Sequence, residues 1–258
     1  MTTGGRIATA LPTVAEPWAD DRQWSEKLVG DRLRADANQT STQREITGEI
    51  VRRAAEAGAA AVALTGSTAR NRRSESSDLD YHVVGRRFKT NDLPGEVDVY
   101  FGNSDRFWSK LREGDDFVQW TLRFGCILSD DGIFRAGLRA ISVELIWPIA
   151  EAKLARLPDM QRLAQRLLEM DDRDAAQDQL RATLTTLARA LLLAARVFPL
   201  ARVELPEQLR RVGHEPVADA LAETIHSQPS LSTLHAMLGT LTTAGGVEGG
   251  LERSPPPT

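Results

Sequence analysis

Three short segments constrain this chain most: Ala61–Leu64, Leu79–Val84 and Val97–Phe101, each four to six residues long and bounded by turn-forming or charged residues. Runs of that length are too short for stable helices and have the length of buried strands. The first is wholly apolar and ends at Gly66-Ser67, while the other two carry Asp80 and Asp98. A strand places residues two apart on one face, so Asp78 and Asp80 share a face and Leu79 turns to the core. A small sheet edged with acids is therefore expected.

Around that sheet, apolar residues recur at helical spacing. Thr42-x-x-Glu45 has capping-box spacing, and Ile46, Ile50, Ala54 and Ala57 follow on one face until Gly58 closes the helix. The charged 85–95 segment, with Pro94, suits a hairpin connection between the second and third strands. Residues 104–126 read as one helix through Phe107, Leu111, Val118 and Leu122. Ser129-Asp130-Asp131-Gly132 reads as a turn, and Ile141–Ile146 as a last strand ahead of Pro148. Four amphipathic faces follow: Met160, Leu163 and Leu167; Leu180, Leu184, Leu187 and Leu191; Leu205, Leu209 and Val212; and Leu231, Leu234, Leu238 and Leu241. The expected class is α+β, a small mixed β-sheet core flanked by helices and followed by a C-terminal helical bundle. The expected division is a loose arm at 1–20, the sheet domain at 21–148, the bundle at 149–242 and a disordered Gly- and Pro-rich tail at 243–258.

The polar residues at the strand ends belong to one kind of chemistry. Gly66 permits a tight turn and close backbone approach, and the Ser67 hydroxyl with neighbouring amides can hold terminal phosphates. Arg70, Arg72 and Arg73 follow at once and offer guanidinium groups to a polyphosphate. If the second and third strands pair, Asp78, Asp80 and Asp98 converge. Carboxylates that close repel one another unless a cation sits among them. Two Mg²⁺ ions, with Mn²⁺ able to substitute, are the expected partners, because a two-metal site clamps the attacking and leaving oxygens of a phosphoryl displacement. No Gly-x-x-x-x-Gly-Lys-Ser/Thr loop occurs, and no Gly-rich loop with a His-Arg-Asp segment, which disfavours P-loop NTPases and protein kinases.

Leu64-Thr65-Gly66-Ser67, then Asp78-Leu79-Asp80, then Val97-Asp98-Val99 resembles the signature of the DNA polymerase β-like nucleotidyltransferase superfamily. Gly66-Ser67-Thr68-Ala69-Arg70 with Ser77-Asp78-Leu79-Asp80 looks most like the minimal nucleotidyltransferases and aminoglycoside adenylyltransferases of prokaryotes. The resemblance implies transfer of an NMP group from an NTP, ATP favoured, to an acceptor hydroxyl. It places Gly66 and Ser67 on the phosphates and Asp78 and Asp80 on the metals, and the residue pattern adds Arg70 and Arg73 as nucleotide-binding candidates. Asp98 takes the third metal-ligand or base position. The signature spans about 20 contiguous residues plus the Asp98 strand. Asn71 departs from the pattern, standing where such proteins often have glycine after the arginine.

A small-molecule acceptor of aminoglycoside type ranks first, a protein acceptor as in toxin–antitoxin adenylylation second, and RNA third. A catalytically inactive nucleotide-binding regulatory module is the reading from another class. Glu144 is the candidate for an acceptor contact or extra base, and Glu96 its lesser rival by sharing a face with Asp98. His82 and the lone Cys126 read as structural, Trp120 and Trp147 as packing residues, and the acids from Glu169 to Asp178 as helix-capping and solvated. A net charge of −4 argues against broad nucleic-acid binding. With no secretory signal and no long apolar run, the expected location is the cytoplasm, away from any membrane.

Overall fold

The first helix, α1 (Asp21–Ala37), has no apolar stripe to announce it: its buried residues are Trp24, Asp31 and Ala35. The computed structural model describes residues 21–73, 77–143 and 146–245. Asp31 is only 5% exposed, is ion-paired to Lys27 and lies 3.2 Å from Arg34 Nη2. It also accepts the amide of Ile127 at 3.0 Å. A buried carboxylate is tolerated only with such partners, and here they tie the helix to the sheet.

Helix α2 (Ser41–Glu56) begins two residues earlier than its spacing predicts. Thr40 is the N-cap, its side chain accepting from the Gln43 amide while the Gln43 side chain accepts from the Thr40 amide at 3.0 Å. Gln43 completes the box as well as Glu45 would have, and Thr40 has the extended backbone that a cap requires. At the far end Gly58 turns with φ 72, as expected of a helix terminator.

The sheet contains β1 (Ala61–Leu64), β2 (Leu79–Val84), β3 (Val97–Gly102) and β4 (Cys126–Asp130), in the order β3-β2-β1-β4. Strand β1 runs antiparallel to β2 and β4, whereas β2 and β3 are parallel. The sheet is therefore mixed, and the hairpin expected over 85–95 does not form. A parallel connection needs about a dozen residues to return the chain to its starting end, and residues 85–96 supply them. Arg53 on α2 pins the return, donating to Lys89 O at 2.8 Å and to both Asp92 carboxylate oxygens at 2.8 Å.

Between β1 and β2 lies the short helix α3 (Gly66–Ala69). The single helix expected over 104–126 is divided into α4 (Ser104–Arg112) and α5 (Asp116–Phe124). Gly114, with φ 72, breaks the run, and Asp115 restarts it by accepting the Val118 amide at 3.0 Å. The last strand is also relocated. Residues 126–130 form β4, and of the strand expected over 141–146 residues 141–143 are instead the end of α6 (Ile133–Val143), with Phe134, Leu138 and Ile141 at helical spacing on its buried side, while residues 144–145 lie outside the described residues. Gly132 (φ 118) turns between them, and Asp130 accepts the Phe134 amide at 2.8 Å.

One face of the sheet packs Ala61, Ala63, Val84 and Ile127 against Phe107, Leu111, Val118, Leu122, Phe134 and Leu138 of α4, α5 and α6. Full burial stabilises each of the larger side chains by about 1.5–3 kcal/mol. The other face meets α2 through Tyr81. Thr47 donates to Gln43 O at 2.8 Å, so its oxygen accepts from the Tyr81 hydroxyl at 2.7 Å.

The chain divides into two compact units, Met1–Pro148 and Ile149–Thr258. In the second, α7 (Glu151–Leu154), α8 (Leu157–Glu169), α9 (Arg173–Ala194), α10 (Leu205–Arg211), α11 (Glu215–His226) and α12 (Leu231–Gly245) form a bundle. Leu180, Leu184 and Leu187 of α9 are wholly buried at its centre, as their spacing predicts. On α8 the buried face is Leu157, Ala164 and Leu168, whereas Leu163 of the expected stripe is 47% exposed. Asp172 caps α9 by accepting the Ala175 amide at 3.2 Å. Helix α12 reaches Gly245, past the expected start of the tail at 243, and the remainder of that stretch lies outside the described residues, as does the arm at 1–20. Among the described residues no helix is long and apolar enough to cross a membrane.

Candidate functional site

The register of β2 on β3 sets Asp80 opposite Asp98. Neighbouring strands lie about 4.8 Å apart, and register partners project from the same face. The two carboxylates therefore stand side by side, with Leu79 turned away and fully buried. Both line a cleft of about 320 Å³ together with Thr65, Tyr81, Val99, Tyr100, Lys110 and Phe117.

Thr65 fixes one wall. Its amide donates to Asp80 O at 2.8 Å and its hydroxyl to the same oxygen at 3.2 Å. The turn that follows needs glycine twice over. Gly66 has φ 66, and a Cβ there would run into the Asp80 carboxylate at Oδ2, with Asp80 Cγ at 3.0 Å. Backbone and carboxylate thus occupy space that any other residue would fill. Ser67 follows half-buried, its carbonyl accepting the Arg72 amide at 2.9 Å. Asn71, where glycine was the pattern, takes φ 55, a conformation that asparagine tolerates better than most side chains. The departure therefore preserves the turn.

The other candidates are distributed as follows. Asp78 lies one residue before β2, is exposed and is not among the cleft residues. Convergence of three carboxylates is accordingly not seen: among the described residues no three His, Cys, Asp or Glu side chains form a metal-holding group. Asp78 precedes the paired part of the strand, so register does not bring it to Asp98. The Arg70 guanidinium lies 5.1 Å from the Phe124 ring centroid. Arg73 is half-buried, with its Nε enclosed and unbonded among the described residues. Glu96 precedes β3 and is exposed. Glu144 lies outside the described residues.

Two cleft residues were not singled out from sequence. Lys110 Nζ stands 2.6 Å from Asp115 Oδ2. Burial acts to lower the lysine pKa, but the hydrogen bond and charge of Asp115 outweigh it and hold the ammonium above its ordinary value. Tyr100 follows Asp98 at strand period, its ring 4.9 Å from Phe117 and 5.1 Å from His82. The spacing from Asp98 was the available signal for Tyr100, whereas a lone lysine on a helix offers none.

His82 is structural. It is 1% exposed, packs among Phe107, Phe117 and Phe134, and burial pushes its pKa down to about 4. Thr121 Oγ1 donates to Phe117 O, so it accepts from His82 Nδ1 at 3.0 Å and the neutral ring carries its proton there. Cys126 is fully buried beside Arg34, and burial raises its thiol pKa. Trp120 is buried against Phe124.

The donor set of the cleft is hard oxygen. Mg²⁺ is commonly held by one or two carboxylates together with water and substrate phosphate oxygens. The Asp80–Asp98 pair fits that requirement without a third acid, and the glycine at 66 keeps the space beside Asp80 open to its carboxylate.

No protein-family model and no curated protein matches the chain. Among solved structures, the chain resembles a nucleotidyltransferase-like protein from Exiguobacterium sibiricum 255-15, with 17% identity over 78% of this chain and 72% of that one and a TM-score of 0.40.

Proposed function

We propose that this protein is a metal-dependent nucleotidyltransferase that moves an NMP group from an NTP, ATP favoured, to an acceptor hydroxyl. The observation that carries the reading is the register pairing of Asp80 with Asp98, with the Gly66 turn pressed against the Asp80 carboxylate. Asp80 and Asp98 would hold Mg²⁺ or Mn²⁺, which supplies charge neutralisation at the transferring phosphate. The turn at Gly66 and Ser67 receives the polyphosphate, with Arg70 and Arg73 close by in sequence. Asp98 would also orient the acceptor hydroxyl or take its proton. In the reaction the acceptor oxygen bonds to the α-phosphorus, the bond to the β-phosphate bridge breaks, and pyrophosphate leaves. Such a reaction draws on positioning and electrostatics more than on covalent chemistry. The favoured acceptor is a small molecule, a protein hydroxyl the alternative, and the cytoplasm the proposed location.

A second reading, a nucleotide-binding module without turnover, is favoured by one observation: Asp78 stands outside the cleft. Incubating the protein with each labelled NTP, Mg²⁺ or Mn²⁺ and a cell extract separates the two. Label transferred to an extract component supports the enzyme and reveals its acceptor class, whereas nucleotide binding without transfer supports the module. Asp80→Asn should abolish metal-dependent transfer and leave the fold intact. Full activity in that variant would remove Asp80 from the site.

A further inference from the structure

The cleft has two chemically different walls. Asp80 and Asp98 supply negative charge on the sheet, and among the described residues lining the cleft Lys110 is the one cation. A polyphosphate entering alone would be repelled by the acids, so a fixed positive group lining the same cleft changes what it can accept.

Lys110 is fixed to an unusual degree for a lysine. Its ammonium is held by Asp115 Oδ2 at 2.6 Å, while the other oxygen of the same carboxylate caps α5 through the Val118 amide at 3.0 Å. The carboxylate cannot rotate away without uncapping a helix, so the lysine head is anchored at the cleft wall. An ammonium has three donors, and this ion pair uses one of them. The Tyr100 and Phe117 rings line the same cleft and pack edge to face at 4.9 Å, and beside such apolar surface a charged hydrogen bond is less screened than in open water.

Resting on the nucleotidyl-transfer reading, we infer that Lys110 binds a phosphate oxygen of the nucleotide in this cleft and sets the polyphosphate against the Asp80–Asp98 pair. Lys110 is then a substrate-binding residue. Its partner Asp115 is a positioning residue.

The test uses the full-length protein and calorimetric titration with ATP and AMP in the presence of Mg²⁺, comparing wild type with Lys110→Met and Lys110→Arg. Loss of one charge-assisted hydrogen bond is expected to weaken ATP binding by about tenfold or more. It should lower the ATP-to-AMP affinity ratio as well, and reduce the salt dependence of ATP binding. Lys110→Arg should recover most of the affinity, because it keeps the charge. A Lys110→Met protein that melts earlier but binds ATP as tightly as wild type overturns the inference and makes Lys110 a purely structural ion-pair partner. If that variant does not fold, Lys110→Gln takes its place, with the same affinity ratio deciding between the two roles. Wild type that binds no NTP defeats the nucleotidyl-transfer reading itself, and the inference falls with it. Normal ATP binding by both wild type and variant defeats the Lys110 inference alone.

Discussion

Gly66 and Gly58 form a matched pair of backbones with unlike surroundings. Their φ angles are 66 and 72, so an alanine at either position adopts the left-handed region at a cost of about 1–2 kcal/mol. A Cβ at Gly58 meets nothing within 4 Å, whereas at Gly66 it runs into Asp80 Oδ2 and comes within 3.3 Å of Asp80 Cβ. The carboxylate is the mobile end of its side chain, so it should swing aside before the turn unfolds. Gly66→Ala and Gly58→Ala are thus expected to lose similar stability, about 1–2 kcal/mol each, in urea denaturation. Only Gly66→Ala should lose function. Displacing a catalytic group by about 1 Å can cost on the order of 100-fold, and that is the expected fall in label transfer, accompanied by weaker Mn²⁺ binding measured by water-proton relaxation. Gly58→Ala should stay within about twofold of wild type in both assays, since nothing in its surroundings reaches the site. Wild-type Mn²⁺ affinity in Gly66→Ala, or an equal functional loss in Gly58→Ala, would refute the reasoning.

The remaining predictions concern stability. His82 is held at about 4 by burial, below its ordinary value of 6.5, so the unfolded chain takes up the proton first as pH falls. The His82 contribution is therefore full above about pH 6.5 and declines toward pH 4. Between pH 7.5 and pH 5 the loss is about 2 kcal/mol, measurable by urea melts, and His82→Gln should abolish that share of the slope whatever its absolute stability. Thr40→Ala should destabilise the protein by about 1 kcal/mol through loss of the α2 cap, whereas Thr42→Ala, at an exposed position inside the helix, should stay within about 0.5 kcal/mol of wild type. Equal losses in the two variants would contradict the observed cap.

The strands β1, β2 and β3 were legible because short apolar runs ended at clear turn residues, and period two alone placed Leu79 inside. Helix α1 was hidden because its buried face includes Asp31, a charge satisfied by Lys27, Arg34 and the Ile127 amide rather than by an apolar stripe. Strand β4 was hidden because only Gly125 separates it from α5, leaving no visible loop. The segment 141–146 misled because Ile141 and Val143 alternate locally, while their longer-range partners Phe134 and Leu138 follow the helical period. The parallel sense of β3 was beyond local sequence, since the Arg53 contacts that anchor its connection span 36 and 39 residues. The meeting of Asp80 and Asp98 required pairing of the two strands in either sense. The position of Lys110 depends on how α4 docks, which no local pattern records.

Strand alignment, more than any loop, stores the accuracy of this cleft. A slip of β3 by one residue would turn Asp98 to the opposite face and offer Val97 or Val99 to Asp80 instead. A slip by two would keep the face but carry the carboxylate about 6.6 Å along the strand, too far for one cation to bridge the pair. The segment that must hold this alignment has no helix of its own, and Arg53 fastens it to α2 through Lys89 and Asp92. An arginine remote from both acids in sequence thus guards the spacing between them, and a change in the length of that segment could disable the cleft in a protein that still folds.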